Sequence, residues 1–283
     1  MKSQDSRPDP ILRKAKSIVK ICLFGFNLFF WRIRRLFSRD LVVHVYALCW
    51  NEEKILPYFL RHYGGIANKI VIYDNESSDR SVEIIRSYPN TEVIPYSTDE
   101  KIDDFRWLGI KNNAWKKSRG KADWVIVVDA DEFLFHHDLT GCLKRYRQKG
   151  ITISVPVGYE MVSDTFPESA GMIYDEVKLG VQNNVFDKMC IFDPNAIYEI
   201  NYNVGCHKAA PRGILNFDIN RELKLLHFNF LGLDYLLERY ASRKARLSEY
   251  QIKHGFGLHF LTPKAEIINW FNERRKSVTC VIP

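Results

Sequence analysis

The sequence predicts an α/β fold in which helices flank a mostly parallel sheet, within one globular domain that follows an amphipathic arm. From residue 41 onward, strand-like and helix-like segments alternate, the order that builds a parallel sheet. The apolar run Trp124–Val128 is typical of a central strand buried on both faces. Polar clusters follow three of the strand-like runs, at the edge where parallel sheets bind ligands.

The first half of the body alternates most regularly. The predicted strands cover residues 41–48, 69–73, 92–95, 124–128 and 151–157. The predicted helices cover residues 55–63, a segment around 82–85, 106–117 and 139–148. In the first helix, Ile55, Phe59 and Tyr63 share one face, and Pro57 fits its first turn.

Beyond residue 160 the alternation loosens. Short strands are predicted at residues 188–192 and 223–230, and helices at residues 233–250 and 263–275. The domain, residues 40–283, is therefore expected to end in a mainly helical part.

Charge is concentrated at the amino terminus. The chain carries a net charge of +7, whereas residues 1–39 alone hold ten lysines and arginines against two acids. The rest of the chain is close to neutral, at −1. A neutral body argues against nucleic acid as a partner, because phosphate backbones are bound by a basic face.

The basic arm, residues 1–39, also contains an apolar stretch at residues 18–31. Its 14 residues include Lys20 and Asn27, whereas a helix that spans a bilayer needs roughly 20 apolar residues. Basic residues flank both ends of the stretch. We therefore expect residues 11–39 to lie on an anionic membrane surface with Trp31 turned inward. A helix packed on the domain and a short type II anchor are the alternatives.

An acidic cluster, Asp129, Asp131 and Glu132, directly follows the apolar run. Two carboxylates two positions apart at the mouth of a sheet repel each other unless a cation joins them. Such oxygen ligands suit Mn²⁺ or Mg²⁺, which also bind phosphate oxygens. The cluster therefore predicts a divalent metal that neutralises charge on a departing diphosphate.

Four segments stand in a recognisable order: Trp50–Glu53, Asp74–Asp79, Trp107–Asn112 and Asp129–Phe133. They resemble the motifs of family 2-like glycosyltransferases of the GT-A fold. The D-x-D-E-F segment is most similar to the branch shared with family 92-like enzymes. The resemblance covers residues 42–135 well and the rest loosely. It implies that residues 40–135 bind a nucleotide-sugar donor, most naturally a UDP-sugar, and that residues 136–283 bind a glycan or lipid-linked acceptor.

The resemblance also implies roles on the donor side. Asp74 would hydrogen-bond the nucleotide base, with Asn51, Glu52 and Asp79 among the donor-binding residues. The usual family 2 pattern is D-D-x-S-x-D, and this chain departs from it with Asn75 in the second position. The departure puts base recognition in question. In addition, Asp79 or Ser78 is suited to cap the next helix.

Beside the metal, the resemblance implies that Lys111 reaches the diphosphate, that Asp129 lies by the ribose or the metal, and that Asp131 ligates the metal. GT-A enzymes often complete this site with a histidine from the second half. His227 is our choice and His207 the weaker one, the alternative for each being a buried structural histidine.

Inverting transfer needs a carboxylate that deprotonates the acceptor hydroxyl. Glu160 and Asp164 are the first candidates, and Asp187 and Glu222 the others. The plain alternative for each is a surface charge. Retaining transfer needs no such base, so the stereochemistry stays open.

Other function classes share parts of this pattern. A phosphatase of the haloacid dehalogenase type places D-x-D after its first strand, whereas here it follows about the fourth. A nucleotidyltransferase usually has an N-terminal glycine-rich loop with a lysine, which the sequence lacks. A dinucleotide oxidoreductase needs G-x-G-x-x-G after the first strand, where Cys49–Glu53 stands instead. A non-catalytic membrane-bound module remains an alternative.

Three observations favour a body at the cytoplasmic face of a membrane. The six cysteines form no C-x-x-C pair, so buried reduced thiols are expected and a zinc site is not. The arm shows no signal-peptide cleavage site. Residues 75–77 form a glycosylation acceptor sequence in the loop assigned to the base, where a glycan would block the site. Type II anchoring with a lumenal body is the alternative.

Overall fold

The computed structural model describes residues 40–283 together with Gly25, Phe29 and Ile33. The arm expected to contact a membrane, residues 11–39, therefore falls almost entirely outside the described residues. Across the described part of the chain, no helix combines the length and the apolar character that crossing a bilayer requires.

Strands and helices alternate up to residue 129, and the chain is less regular beyond it. The strands are β1 (Val43–Cys49), β2 (Lys69–Asp74), β3 (Thr91–Pro95), β4 (Trp124–Asp129), β5 (Glu132–Phe135), β6 (Ile153–Ser154), β7 (Val157–Ser163), β8 (Leu179–Gln182), β9 (Ile191–Phe192), β10 (Ile197–Glu199), β11 (Arg212–Gly213), β12 (Lys224–Leu231) and β13 (Thr279–Cys280). The helices are α1 (Leu56–Gly64), α2 (Ser81–Arg86), α3 (Asp104–Asn113), α4 (Leu139–Gln148), α5 (Ile173–Glu176), α6 (Leu233–Ala245), α7 (Glu249–Lys253) and α8 (Lys264–Lys276). Short 3₁₀ turns lie at Ala114–Ser118, Asn184–Phe186 and Leu258–Leu261.

The larger sheet has the strand order β3-β2-β1-β4-β9-β6. Its first four strands are parallel, and β9 is antiparallel to both of its neighbours. The carboxyl ends of β1, β2 and β4 therefore meet at one edge, with Cys49 beside Asp74 and Leu48 beside Asp129. This confirms the mostly parallel α/β sheet flanked by helices.

A second sheet has the strand order β13-β8-β7-β12-β5. In it, β12 runs parallel to β7 and antiparallel to β5. Because β5 begins just after β4 ends, the D-x-D segment links the two sheets. The register places His227 of β12 between Glu132 of β5 and Glu160 of β7. Acidic and imidazole side chains from both sheets are thereby brought to the same edge.

Apolar clusters on both faces of β4 underlie this link. Every residue of Trp124–Val128 is at most 5% exposed, as expected of a strand covered on both faces. Helix α1 packs beside β5 through Tyr63, whose hydroxyl donates to the Glu132 carbonyl at 3.0 Å and accepts from the Leu134 N–H at 2.9 Å. Both bonds fix the backbone that follows the D-x-D segment.

The structure corrects the predicted strands in the second half. The strand expected over residues 151–157 is split into β6 and the start of β7, because Pro156 has no N–H for the ladder. The strand expected from residue 188 begins only at Ile191, and Lys188 turns to form an ion pair with Glu132. Strands β5 and β8 were not predicted, and β7 was recognised only at its first residue.

Two predicted helices also differ. The helix expected over residues 233–250 ends at Ala245, and Ser248 caps the separate helix α7 by accepting from the Gln251 N–H. Between them Arg246 donates to the Glu100 carbonyl at 3.0 Å. The helix expected over residues 106–117 starts at Asp104 and tightens into a 3₁₀ turn after residue 113.

The cysteines within the described residues agree with the expectation of reduced thiols. Four of them are buried and unpaired, and the fifth is exposed and unpaired: Cys49, Cys142, Cys190, Cys206 and Cys280.

Candidate active site

A cavity of about 760 Å³ opens where the carboxyl ends of β1 and β4 meet. Its walls come from both sheets and from helices α6 and α8. Of the residues predicted to act in the site, those that line it are Glu52, Lys111, Asp129, Asp131, Glu160, His207 and His227. The two halves of the chain therefore contribute to one site.

Asp131 lies in a closely paired charge network. Its Oδ2 accepts from Nη2 of Arg239 at 2.6 Å and lies 3.4 Å from Nε2 of His227. The same guanidinium is held from the other side, because Nη1 donates to Glu52 Oε2 at 2.6 Å and to the Tyr235 hydroxyl at 2.8 Å. Arg239 thus joins an acid of the β1 loop to the second acid of the D-x-D segment.

Burial and charge act in opposite directions on these acids. Burial would raise the pKa of Asp131, but Arg239 and His227 hold that pKa well below its ordinary value. Burial raises the pKa of Glu52, although Arg239 and Arg243 oppose the rise. The D-x-D carboxylate is therefore kept ionised more firmly than the acid that shares its arginine.

Asp129 has its own counter-cations. Nζ of Lys111 donates to Oδ1 of Asp129 at 2.6 Å, and Nζ of Lys188 lies 3.7 Å from Oδ2. Burial would raise the pKa of Asp129, yet the two ammonium groups lower it to about 2. Lys188 also forms an ion pair with Glu132, which is 1% exposed. Both D-x-D carboxylates are therefore paired with lysine or arginine side chains.

Three predicted donor-binding residues, Asn51, Asp74 and Asp79, stand outside the cavity lining. Their polar atoms tie the loop after β1 to the loop after β2. Asn51, at φ 50°, accepts from the Ser78 N–H at 2.8 Å. Asp74 accepts from the Ser77 hydroxyl at 2.6 Å, and Asp79 accepts from the Glu53 N–H at 3.0 Å. Their contact with a nucleotide stays a prediction, whereas the structure shows that they hold the two loops in place.

The helix-cap prediction at Asp79 also needs correction. The capping position of α2 is Arg80, whose side chain makes no capping bond. Asp79 Oδ1 instead accepts from the Ser81 N–H at 2.9 Å, just before the helix begins.

The two first candidates for a catalytic base are separated by the fold. Glu160 is 6% exposed inside the cavity, and its Oε2 lies 2.8 Å from Nε of Arg274. Asp164 lies outside the cavity lining, with 71% of its side chain exposed, in an ion pair with Arg275 at 2.6 Å. Geometry therefore favours Glu160 as the acid that could meet an acceptor.

The two other acids are occupied elsewhere. Asp187 pairs with Arg221 at 2.7 Å, and Glu222 pairs with Arg145 at 3.1 Å. Neither belongs to the cavity lining.

Among the described residues, the candidate ligands in the cavity have the chemistry of a divalent-cation site, although their ligand atoms do not form one close group. Asp129 and Asp131 offer carboxylate oxygens, and His227 offers a ring nitrogen beside Asp131. Nδ1 of His227 and Nε1 of Trp107 are buried without a hydrogen-bond partner among the described residues. His207 lines the same cavity but turns Nδ1 to the Val185 carbonyl at 3.0 Å.

A separate group of possible metal ligands lies at the far end of the β5–β12 pair. It consists of His136, Cys142 and Glu222, whose ligand atoms lie within 4.8 Å of one another. Arg145 already pairs with Glu222 there, so a metal ion would have to compete with this guanidinium for the carboxylate. This group is remote from the D-x-D segment by register.

The sequence interpretation missed most of the cations of the site. Lys188, Arg239, Arg243 and Arg246 all line the cavity. Arg239, Arg243 and Arg246 follow helical spacing, which puts them on one face of α6 and its cap. That spacing was readable from the sequence, whereas the approach of Lys188 depends on a turn that no local pattern marks.

Comparison with known proteins agrees with this architecture. The profile of glycosyl transferase family 2 matches residues 45–199. No curated protein matches the chain. Among solved structures, S. aureus TarS 1–349 is similar at 12% identity, with a TM-score of 0.43, covering 71% of this chain and 65% of that one. The chain thus spans about two thirds of that structure's length.

Two complexes of the same S. aureus protein are also similar. TarS 1–349 with UDP has 12% identity and a TM-score of 0.42 over 84% of this chain and 72% of that one. The complex with UDP-GlcNAc has 17% identity and a TM-score of 0.33 over 46% and 38%. The family profile covers more than half of this chain. The order of the motifs and the α/β architecture described above agree with that match. The chain therefore belongs to glycosyl transferase family 2 and has a GT-A-type fold.

Proposed function

We propose that the protein moves a sugar from a nucleotide-sugar donor to a glycan or lipid-linked acceptor, using a divalent metal at the D-x-D segment. One observation carries the proposal. In a member of this family, both D-x-D carboxylates, a histidine and a second-sheet glutamate converge in one cavity at the strand ends. Parallel sheets bind nucleotides at that edge.

The donor would bind on the side of residues 40–135, with UDP-sugars the first to test. Asp74, at the end of β2, would hydrogen-bond the nucleotide base. Lys111, which pairs with Asp129 at 2.6 Å, would contact the diphosphate. The closer likeness to family 92-like enzymes stays a prediction.

Asp129, Asp131 and His227 would hold Mn²⁺ or Mg²⁺. When bound, such an ion would neutralise the charge that builds on the departing nucleoside diphosphate. The protein's own part is to present ionised carboxylates, and Lys188 and Lys111 keep Asp129 in that form.

The acceptor would enter on the side of residues 136–283. Glu160 would take the proton of the acceptor hydroxyl, in an inverting transfer. Arg274, with Nε 2.8 Å from Oε2, forms an ion pair with that carboxylate but does not satisfy this oxygen with a hydrogen bond. Register places Glu160 beside His227, so the base would stand next to the metal ligand. Asp164, exposed and paired with Arg275, would have no part in the reaction.

The test is a screen of nucleotide sugars for hydrolysis and for protection against thermal unfolding, with and without Mn²⁺. Mn²⁺-dependent protection by a UDP-sugar supports the proposal. Metal-dependent release of phosphate from simple esters, without nucleotide specificity, would indicate a phosphatase instead. Nucleotide binding without any turnover on glycan or lipid-linked acceptors would indicate a non-catalytic module.

We also propose that the body sits at the cytoplasmic face of a membrane through residues 11–39. The basis is the charge and aromatic content of that arm. Vesicles of phosphatidylcholine with about a third anionic lipid should float the full chain and release a truncation that starts at Asp40. Equal flotation of both would contradict the arm's role. A carboxyl-terminal reporter active only after export, or a glycan on Asn75, would favour the type II alternative.

A further inference from the structure

Helix α6 presents a row of arginines to the cavity. Arg239, Arg243 and Arg246 are spaced so that they share one helical face, and all three line the cavity wall. Neighbouring Lys244 points to solvent on the opposite face. The row comes from the part of the chain beyond the matched family profile, residues 45–199.

The three arginines differ in how firmly they are held. Arg239 is 7% exposed and bridges Asp131 and Glu52, at 2.6 Å from each. Arg243 is one third exposed, and its contact with Glu52 is 3.4 Å long. Arg246 stacks on the Trp50 ring, with its guanidinium carbon 3.8 Å from the ring centre. Arg243 therefore keeps hydrogen-bonding capacity directed at the cavity.

A metal at Asp131 would conflict with the present position of Arg239. The guanidinium already occupies Oδ2, the oxygen that faces His227. A divalent ion within about 4 Å of a guanidinium would be repelled by several kcal/mol at the effective dielectric of a protein site. An additional anion between the two cations would relieve that repulsion. The diphosphate of a donor is such an anion, and guanidinium groups bind phosphate in a bidentate manner.

We propose that Arg239 and Arg243 of α6 bind the donor's diphosphate and that Arg239 changes partner in doing so. This inference rests on the proposed function. In the free protein Arg239 balances Asp131. When metal and nucleotide enter together, Asp131 goes to the metal and Arg239 joins Arg243 on the diphosphate. Glu52 holds the arginine near its first position throughout. The metal and the nucleotide should therefore bind with positive coupling.

The test measures two affinities in the full chain. Mn²⁺ affinity without nucleotide is followed by the electron paramagnetic resonance signal of free Mn²⁺, and UDP affinity with Mn²⁺ is followed by calorimetry. Arg239→Gln should bind Mn²⁺ alone about tenfold more tightly, because the competing cation is gone. Arg239→Gln and Arg243→Gln should bind UDP about tenfold or more weakly, through loss of charge-assisted hydrogen bonds. Lys244→Gln, on the same helix, should change neither affinity.

The proposed exchange predicts that Arg239→Gln binds Mn²⁺ alone more tightly and UDP more weakly than the wild type. If Arg239→Gln binds Mn²⁺ alone no more tightly than the wild type, the exchange is wrong. If Arg239→Gln does not fold, Arg239→Lys replaces it, since an ammonium group cannot bridge both acids as the planar guanidinium does. Arg239→Lys should also bind Mn²⁺ more tightly than the wild type. An unchanged Mn²⁺ affinity would overturn the proposed exchange.

The outcomes also separate this inference from the function on which it rests. A wild-type chain that binds no UDP under any condition would contradict the proposed function itself. A wild-type chain that binds both ligands, with arginine variants that bind them equally well, would overturn the arginine row alone.

Discussion

The two halves of the cavity are built in different ways. The parallel strands β1, β2 and β4 end in loops whose acids lie close together in the sequence, as in Asp129 and Asp131. The second sheet and α6 supply single groups far apart in the chain, such as Glu160, His227 and Arg239. The first half thus offers mainly anions, and the second adds the imidazole of His227, the carboxylate of Glu160 and most of the arginine charge. The comparison teaches that the acids alone do not define this site, because Asp131 is paired with Arg239 from the other half and Asp129 with Lys188 from that half as well as with Lys111.

The largest expected effect tests what the second half contributes to the reaction. Glu160→Gln should lower turnover about 10²–10⁴-fold, the range that general-base catalysis supplies. Donor affinity should change little if Glu160 acts on the acceptor as proposed, because it then makes no contact with the nucleotide. Steady-state rates with a fixed acceptor and varied donor separate the two quantities. Asp164→Asn is the matched control, since its carboxylate is exposed and outside the cavity. Equal losses in both variants would remove Glu160 from the role of base.

The next effect tests the first half. Asp131→Asn should weaken Mn²⁺-dependent nucleotide binding at least about a hundredfold, because even outer partners of a metal ligand change affinity 10–100-fold. Calorimetry with UDP, with and without Mn²⁺, measures the change. Asp175→Asn, a substitution on the surface helix α5 outside the cavity, serves as the control. Unchanged binding in Asp131→Asn would remove the metal from Asp131.

The difference between the halves also explains what the sequence could predict. Strands β1, β2 and β4 are apolar runs because helices cover both of their faces, so the D-x-D edge could be predicted from local patterns. Strands β5 and β8 have four residues each, too few to show a period. The pairing of Glu160 with His227 depends on β12 joining β7 across more than 60 residues of chain, which no local pattern encodes. Lys188 was missed for the same reason.

A smaller effect tests the seam where β7 meets the 3₁₀ turn Asn184–Phe186. A Cβ on Gly158 would stand 2.5 Å from the Phe186 carbonyl carbon, which is backbone and can move only with the whole turn. Gly158→Ala should therefore destabilise the fold by about 1–3 kcal/mol, as overpacking does. Phe186 also packs on His227, with ring centres 4.3 Å apart, so Mn²⁺ affinity should fall as well.

Urea unfolding measures the first change and Mn²⁺ titration the second. Gly109→Ala is the control, because a Cβ there meets nothing within 4 Å and alanine favours the helix. If Gly158→Ala is as stable as the wild type, the turn is less rigidly seated on β7 than the structure indicates.

The smallest effect concerns the acid stability of the contact between helix α1 and strand β5, which begins directly after the D-x-D segment. His62 is 7% exposed, and its Nε2 lies 3.0 Å from the Leu134 carbonyl, to which it donates when protonated there. Burial lowers the pKa of His62 from 6.5 to about 4. The unfolded chain therefore takes up a proton below pH 6.5 that the folded chain refuses until about pH 4.

Because the folded-state pKa of His62 is depressed, the unfolded state binds more protons between those two values, and stability is lost as the pH falls through them. His62→Gln keeps a donor for the Leu134 carbonyl and cannot be protonated. The slope of unfolding free energy against pH should fall by up to about 1.4 kcal/mol per pH unit in that window. Urea unfolding at a series of pH values measures the slope, with the range above pH 7 as the internal control. An unchanged slope would mean that His62 is protonated in the folded chain and that α1 opens from β5 more readily than its buried contacts imply.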